Sequence, residues 1–381
     1  MVLPFRERNL KIFKREPIEK VLFQPRFMYW FNRNRVFIPK ERHDGVLHDN
    51  TIPDEYFGLD SLEMHQALNV SIRYCAESLG MVLFYQQTKK DSGIKTKISS
   101  SPDGETITTL KTPVGTVQQK SKGGYTTEHY VKTPEDMEAI KYMLDNTTFH
   151  FNPNTFEIAE DLYKETGIGI AQGYYSRSPF MKLILNYVGF ENTVLLLARH
   201  KKATDEFIKF MSDWDDRMYD VLVECPVKIL NFGENIDGNL VSPRYFKKYL
   251  VPYWNKRVKQ LRDAGKFSYA HFDGSLRDLI PLIKLTDFDG IEAATPLPQG
   301  DVTVAQIKEA LGDKILLDGI PATVCMPHFP ESRLQEIVEE LIELFVPNLI
   351  LGISDELPPN ANISRFKLIN KLIDSHEISK R

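Results

Sequence analysis

The residues best equipped for chemistry are acids and one histidine that recur where short apolar runs end. Gly233-Glu234-Asn235-Ile236-Asp237-Gly238 follows one such run, and His271-Phe272-Asp273-Gly274 follows the next. Glu292 ends a third, Asp318-Gly319 a fourth and Ser354-Asp355-Glu356 a fifth. Carboxylates gathered without a cation raise one another's pKa, and a divalent metal is the usual relief of that repulsion. His271 and Asp273 lie two apart, so on a continuing strand both face the same way and could ligate one ion. Each acid also has a plainer use. Asp273 precedes the helical pattern from Leu276 to Lys284, and Asp237 lies near Ser242, where either could cap a helix. The other histidines, such as His65, His129 and His328, lack ligand spacing and read as surface or packing residues.

These acids can meet only if the runs before them are neighbouring strands. Eight β-branched or apolar runs qualify: Val21–Phe23, Met81–Tyr85, Gly167–Ala171, Lys228–Phe232, Phe267–His271, Gly290–Ala293, Lys314–Leu317 and Leu349–Ile353. Helical patterns separate most of them, which is the mark of βα units around a parallel sheet. From Pro243 to Ala264, Phe246, Tyr249, Leu250, Tyr253 and Val258 recur at helical spacing, behind a Ser242 cap and a first-turn proline. Leu334, Ile337, Val338, Leu341 and Leu344 form a second stripe. The expected fold is an α/β (β/α)8 TIM barrel with an N-terminal helical extension, forming one domain over residues 1–381. Lys95 to Lys132 breaks the rhythm with Thr, Ser, Lys and Gly, and reads as a β-hairpin insertion at about 90–133, with Asp103-Gly104 as a tight turn. In such a barrel the polar residues past the carboxyl ends of the strands line the catalytic mouth. Tyr174, Tyr175 and Arg177 then offer aromatic walls and a cation to a small substrate, as does Arg26 after the first strand, while Asp237 stands at the same rim.

Composition narrows the partners. The 381 residues are 42% hydrophobic and 26% charged, with 48 basic against 52 acidic residues and a net charge of −4. Such a balance gives no broad footprint for a phosphate backbone, so no nucleic acid is expected. No apolar stretch reaches the roughly 20 residues of a spanning helix, and Met1 to Lys14 lacks a signal-peptide core, so a cytoplasmic protein is expected, away from membranes. Cys75, Cys225 and Cys325 are scattered and odd in number, which suits reduced, buried thiols. Dinucleotide, P-loop and serine-hydrolase motifs do not occur.

Ser242-Pro243-Arg244-Tyr245-Phe246 with Val251-Pro252-Tyr253, then His271-Phe272-Asp273-Gly274, then Gly290-Ile291-Glu292 with Pro296 and Gly300-Asp301, stand in a telling order. Together with Pro113-Val114-Gly115-Thr116 and Glu135-Asp136-Met137-Glu138, they resemble the uroporphyrinogen decarboxylase and corrinoid methyltransferase superfamily. Its decarboxylases carry an arginine- and glycine-rich segment after the first strand, where this chain has Gln24-Pro25-Arg26-Phe27-Met28, a poor provision for many carboxylates. The methyltransferase branch holds zinc on a His-x-Cys pair and a later Cys. The resemblance puts His271 in the histidine's place, and Asp273 and Asp355 where the cysteines stand. It implies a methyltransferase moving a methyl group between a small molecule, such as a methyl ether or thiol, and a corrinoid on a separate protein. A divalent metal, zinc first, on His271, Asp273 and Asp355 would assist, with Glu234 or Glu292 giving a proton or a further ligand. The alternatives are a metal-independent decarboxylase of a porphyrinogen-like or aromatic carboxylate, and a non-catalytic barrel that binds a small ligand.

Overall fold

A computed structural model describes residues 2–43, 52–74, 80–175 and 177–376, with the backbone alone at Tyr174 and Tyr175. The strands in chain order are β1 (Leu22–Phe23), β2 (Phe84–Thr88), β3 (Lys95–Ser100), β4 (Thr106–Thr112), β5 (Gly115–Lys122), β6 (Tyr125–Glu128) and β7 (Thr147–Phe151). They continue as β8 (Gln172–Tyr175), β9 (Ile229–Ile236), β10 (Phe267–Phe272), β11 (Gly290–Glu292), β12 (Ile315–Pro321) and β13 (Leu349–Ser354). Seven of them form one curled parallel sheet in the order β1-β13-β12-β11-β10-β9-β8. Strands buried on both faces need near-continuous apolar sequence, which Ile315-Leu316-Leu317 and Leu349-Ile350-Leu351 supply.

Two expected strands depart from the structure: Gly167–Ala171 stops one residue short of β8, and a second is misplaced. Met81–Tyr85 does not join the parallel sheet; its end lies in β2, which pairs antiparallel with β7, Phe84 stacking on Phe149 at 5.7 Å. The gap between the edges β1 and β8 is instead bridged by the segment from Ser71 to Arg73. The Ser71 amide donates to Phe23 O at 2.8 Å, the Ile72 amide donates to Ile168 O at 2.9 Å, and Ile72 bridges Gly169 in parallel. This stretch is too short and too polar to stand out as an apolar run. The insertion is likewise larger than a single hairpin: β3, β4, β5 and β6 form an antiparallel sheet of four. Its turn at Ser101–Glu105 does place Gly104 at φ 77°, a left-handed conformation that glycine adopts without strain.

Side chains two apart on a strand share a face, and the sheet's inner face changes character along that period. Near the strand starts, Leu22, Ile170, Ile229, Tyr269, Ile315, Leu317 and Ile350 pack with Ile12 and Phe13 of the helix Phe5–Phe13, which closes this end. Two residues further on stand Gln24, Asn231, His271 and, after Gly290, Glu292, all buried. The floor is therefore apolar and the layer above it polar.

The helices follow their stripes. In Glu331–Phe345, Leu334, Ile337, Val338 and Leu341 are buried as expected, and Ile342 and Phe345 carry the stripe where Leu344 is half-buried. The helix from Pro243 is not uniform, because Phe246–Leu250 winds as a wide π-type turn before Val251–Asp263. Pro252 has no N–H for the carbonyl four residues back, so the ladder shifts there. Ser242 caps it as expected, its Oγ accepting from the Tyr245 amide at 3.3 Å. Cys225 and Cys325 are buried free thiols, and Cys75 lies outside the described residues. Among the described residues no helix is long and apolar enough to cross a membrane.

Candidate active site

Glu292, at the end of β11, is the hub of the polar layer. Its carboxylate is fully buried and accepts from Arg73 Nη1 at 2.9 Å, Tyr74 OH at 2.6 Å to each oxygen, Asn231 Nδ2 at 3.1 Å and His271 Nδ1 at 2.7 Å. Register explains the last contact, since His271 pairs with Glu292 across β10 and β11. Burial alone would push this carboxyl up, but Arg26, His271 and Arg73 hold it well below the usual carboxylate range. Arg73 Nη1 also donates to Asp318 Oδ1 at 2.6 Å, and its Nε donates to Gln24 Oε1 at 3.0 Å. Asp318 moves the other way, because burial and the neighbouring Glu292 charge outweigh Arg73 and Arg26.

A second arginine reaches the mouth from the loop after β1. Arg26 Nη2 donates to Asp355 Oδ1 at 3.0 Å, and its Nε lies 3.5 Å from Asp318 Oδ2. His271 Nε2 is 3.8 Å from both Asp273 Oδ2 and Asp355 Oδ1. His271, Asp273 and Asp355, far apart in sequence, are thus brought to one spot. Burial disfavours the charged imidazole, yet Asp273 and Glu292 raise it to about 9. A carboxylate at Nδ1 makes that nitrogen a donor and leaves Nε2–H directed at the mouth. Glu356 stands beside this group, pushed up to about 7 by burial. The backbone is strained here: Asn235, Ala293, Asp318 and Asp355 all have φ between 45° and 84°, in or just past four strands of the sheet.

Two expected site acids are used elsewhere. Glu234 is fully buried, accepting from the Ser178 amide at 2.9 Å, Ser178 Oγ at 2.7 Å and Trp254 Nε1 at 2.9 Å, so both its oxygens are occupied. Asp237 binds the Asn239 amide at 2.8 Å and the Ser275 amide at 3.3 Å, which makes it a turn residue. Arg177 reaches Asn235 Oδ1 at 3.3 Å. The side chains of Tyr174 and Tyr175 lie outside the described residues, as does Ser176. Arg73, Tyr74 and Asn231 are additions to the expected set. Only the period-two step from Ile229 to Asn231 was visible in sequence, whereas Arg73 directly follows the isolated bridge at Ile72, in a segment that apolar patterning does not mark.

The donors do not fit a zinc ion. Asp355 Oδ1, which would face the ion, is held by Arg26, and Glu292 has both oxygens taken. Among the described residues no group of three or more His, Cys, Asp or Glu side chains is placed to hold a metal. Glu292, Asp318 and Asp355 are neutralised instead by two arginines, a relief for carboxylate crowding that the sequence did not suggest.

The sequence matches the family description Uroporphyrinogen decarboxylase (URO-D) over residues 108–376, well over half of the chain. The chain belongs to the uroporphyrinogen decarboxylase family. Among solved structures, a methyltransferase from Methanosarcina mazei is similar with a TM-score of 0.55 at 13% identity, covering 98% of each chain. A B12-independent methionine synthase from Shewanella sp. W3-18-1 gives a TM-score of 0.45 at 11% identity, over 93% of this chain and 96% of that one. At such identities the first likeness is one of fold. No curated protein matches the sequence. The URO-D-family chain is an enzyme of that superfamily, and its reaction has to be argued from the mouth itself.

Proposed function

We propose that this URO-D-family enzyme is a methyltransferase that takes a methyl group from a small molecule, such as a methyl ether or thiol, and delivers it to the corrinoid of a separate protein. The reading takes the curled sheet, closed by Ser71–Arg73, as a (β/α)8 barrel forming one domain with β3–β6 as its insertion. The observation that carries the chemistry is the 2.7 Å bond between Glu292 and His271 Nδ1, which turns Nε2–H outward as a proton donor. An alkoxide leaves badly from a methyl ether. In the proposed step the carbon–oxygen bond breaks as the methyl group passes to the acceptor, and the leaving oxygen takes the Nε2 proton. Glu292 acts as a positioning residue, because its oxygens are already occupied, and Arg73, Tyr74 and Asn231 hold it in place. Asp273 and Glu292 keep the imidazole charged until the proton is given. Arg26, Arg177, Tyr174 and Tyr175 are assigned to substrate contact.

A second reading, decarboxylation of an aromatic carboxylate without metal, has one observation in its favour. Among the described residues Arg26 Nε has no hydrogen-bond partner and only a 3.5 Å approach to Asp318 Oδ2, so the guanidinium has a donor to spare for a substrate carboxylate. Carbon dioxide would leave and His271 would protonate the carbon that keeps the electron pair.

The test supplies reduced cobalamin as acceptor with a panel of methyl ethers, thiols and amines, followed by absorbance. Wild type is expected to methylate cobalamin, with a rate that falls as pH rises through about 9. His271→Asn should lose about 10²- to 10⁴-fold, the range of general-acid assistance. Release of carbon dioxide from aromatic acids with no cobalamin methylation overturns the proposal in favour of the second reading.

A further inference from the structure

We propose that the guanidinium of Arg26, together with that of Arg73, takes the electrostatic place that zinc holds in the methyltransferase branch this chain resembles, so that the mouth works without a bound metal. Three observations carry this. The Arg26 side chain is only 7% exposed, and its Nη2 lies 3.0 Å from Asp355 Oδ1, the same oxygen that faces His271 Nε2 at 3.8 Å. Its other flank lies 3.5 Å from Asp318 Oδ2. Arg73 in turn pairs with Glu292 and Asp318 at 2.9 and 2.6 Å, both acids being fully buried.

The two fully buried acids of the mouth, Glu292 and Asp318, therefore already have a permanent cation. A divalent ion between His271 and Asp355 would have to compete with a guanidinium for the same carboxylate and sit beside its charge. The donor set removes the compensation that thiolates would offer, since Asp273 and Asp355 are harder, weaker ligands for zinc. Arginine suits the exchange because it stays charged when buried and brings several directed donors. The inference is independent of methyl transfer: an inactive protein would leave the metal measurement standing, and a bound metal would leave the activity assay standing.

The experiment uses the full chain, wild type beside Arg26→Gln and Arg26→Lys, equilibrated with Zn(II) or Co(II), desalted and analysed for metal, with Co(II) absorption titrated in parallel. Wild type and Arg26→Lys should retain no stoichiometric ion. Arg26→Gln should bind Co(II) about ten- to a thousandfold more tightly, the scale on which a unit charge at close range shifts an ionic equilibrium. A stoichiometric ion in wild type that is lost in both His271→Ala and Asp355→Ala overturns the proposal. Equal Co(II) affinity in folded Arg26→Gln overturns it as well. If circular dichroism shows Arg26→Gln unfolded, the wild-type measurement decides by itself.

Discussion

Replacing Arg73 by methionine tests the charge arrangement most directly. The substitution keeps much of the side-chain volume but withdraws the cation from Glu292 at 2.9 Å and from Asp318 at 2.6 Å, both 0% exposed. It also leaves Gln24 Oε1 without its donor. Breaking a buried ion pair by removing one partner costs about 3–5 kcal/mol, and an abandoned buried acceptor about 1 kcal/mol more. Glu292 keeps Tyr74, Asn231 and His271 as donors, and Asp318 keeps Arg26 nearby, so the expected loss is about 4 kcal/mol. The sign with pH follows from Glu292. Its folded pKa is depressed, so its contribution is present above the ordinary carboxylate range and is lost progressively as pH falls from that range towards the folded value. Without Arg73 that contribution shrinks, and the deficit should be larger at pH 7.5 than at pH 4. Urea unfolding followed by the fluorescence of buried Trp30 and Trp254 measures both values. A loss below about 1 kcal/mol at neutral pH, or the same loss at both pH values, would refute the assignment of Arg73 as the cation of this layer.

Glu356 carries the opposite sign, since its folded pKa is raised to about 7 and its charged form is disfavoured by burial. It therefore lowers stability as pH rises from the ordinary carboxylate range to about 7, and Glu356→Gln should stabilise the protein by about 1–3 kcal/mol at pH 8 and by almost nothing at pH 4; equal melting temperatures at pH 8 would count against it. Gly300 lies in the loop after β11, where an added Cβ would meet Thr295 O at 1.9 Å. Gly300→Ala should cost about 1–3 kcal/mol through overpacking, and an unchanged denaturation midpoint would show that the loop adapts freely.

How far the site could be read from sequence depends on the kind of signal. Six runs were legible as strands because parallel strands buried on both faces must be apolar, a seventh, Gly167–Ala171, stops one residue before β8, and the acids past the strands were legible because strand ends open into the mouth. The remaining strand was not. Val70-Ser71-Ile72 leads straight into Arg73, whose charge erases the apolar signature, while the stronger run at Met81–Tyr85 serves an antiparallel pair instead. With that segment went Arg73, and a metal was the remedy the strand-end acids suggested. Glu234 misled for a related reason: its place after a strand suggested the mouth, but its partners Ser178 and Trp254 come from distant segments.

What the amino-acid sequence alone determined was periodic or local: most of the strands and helices, the Ser242 cap, the polar residues at strand ends, and the family motifs around His271. What the tertiary structure decided was pairing between distant charges. Whether His271 leans on Glu292, and whether Asp355 faces a metal or Arg26, depends on contacts across 21 and 329 residues of chain. Side-chain chemistry states what a group can bind, and only the packed fold states which partner reaches it first.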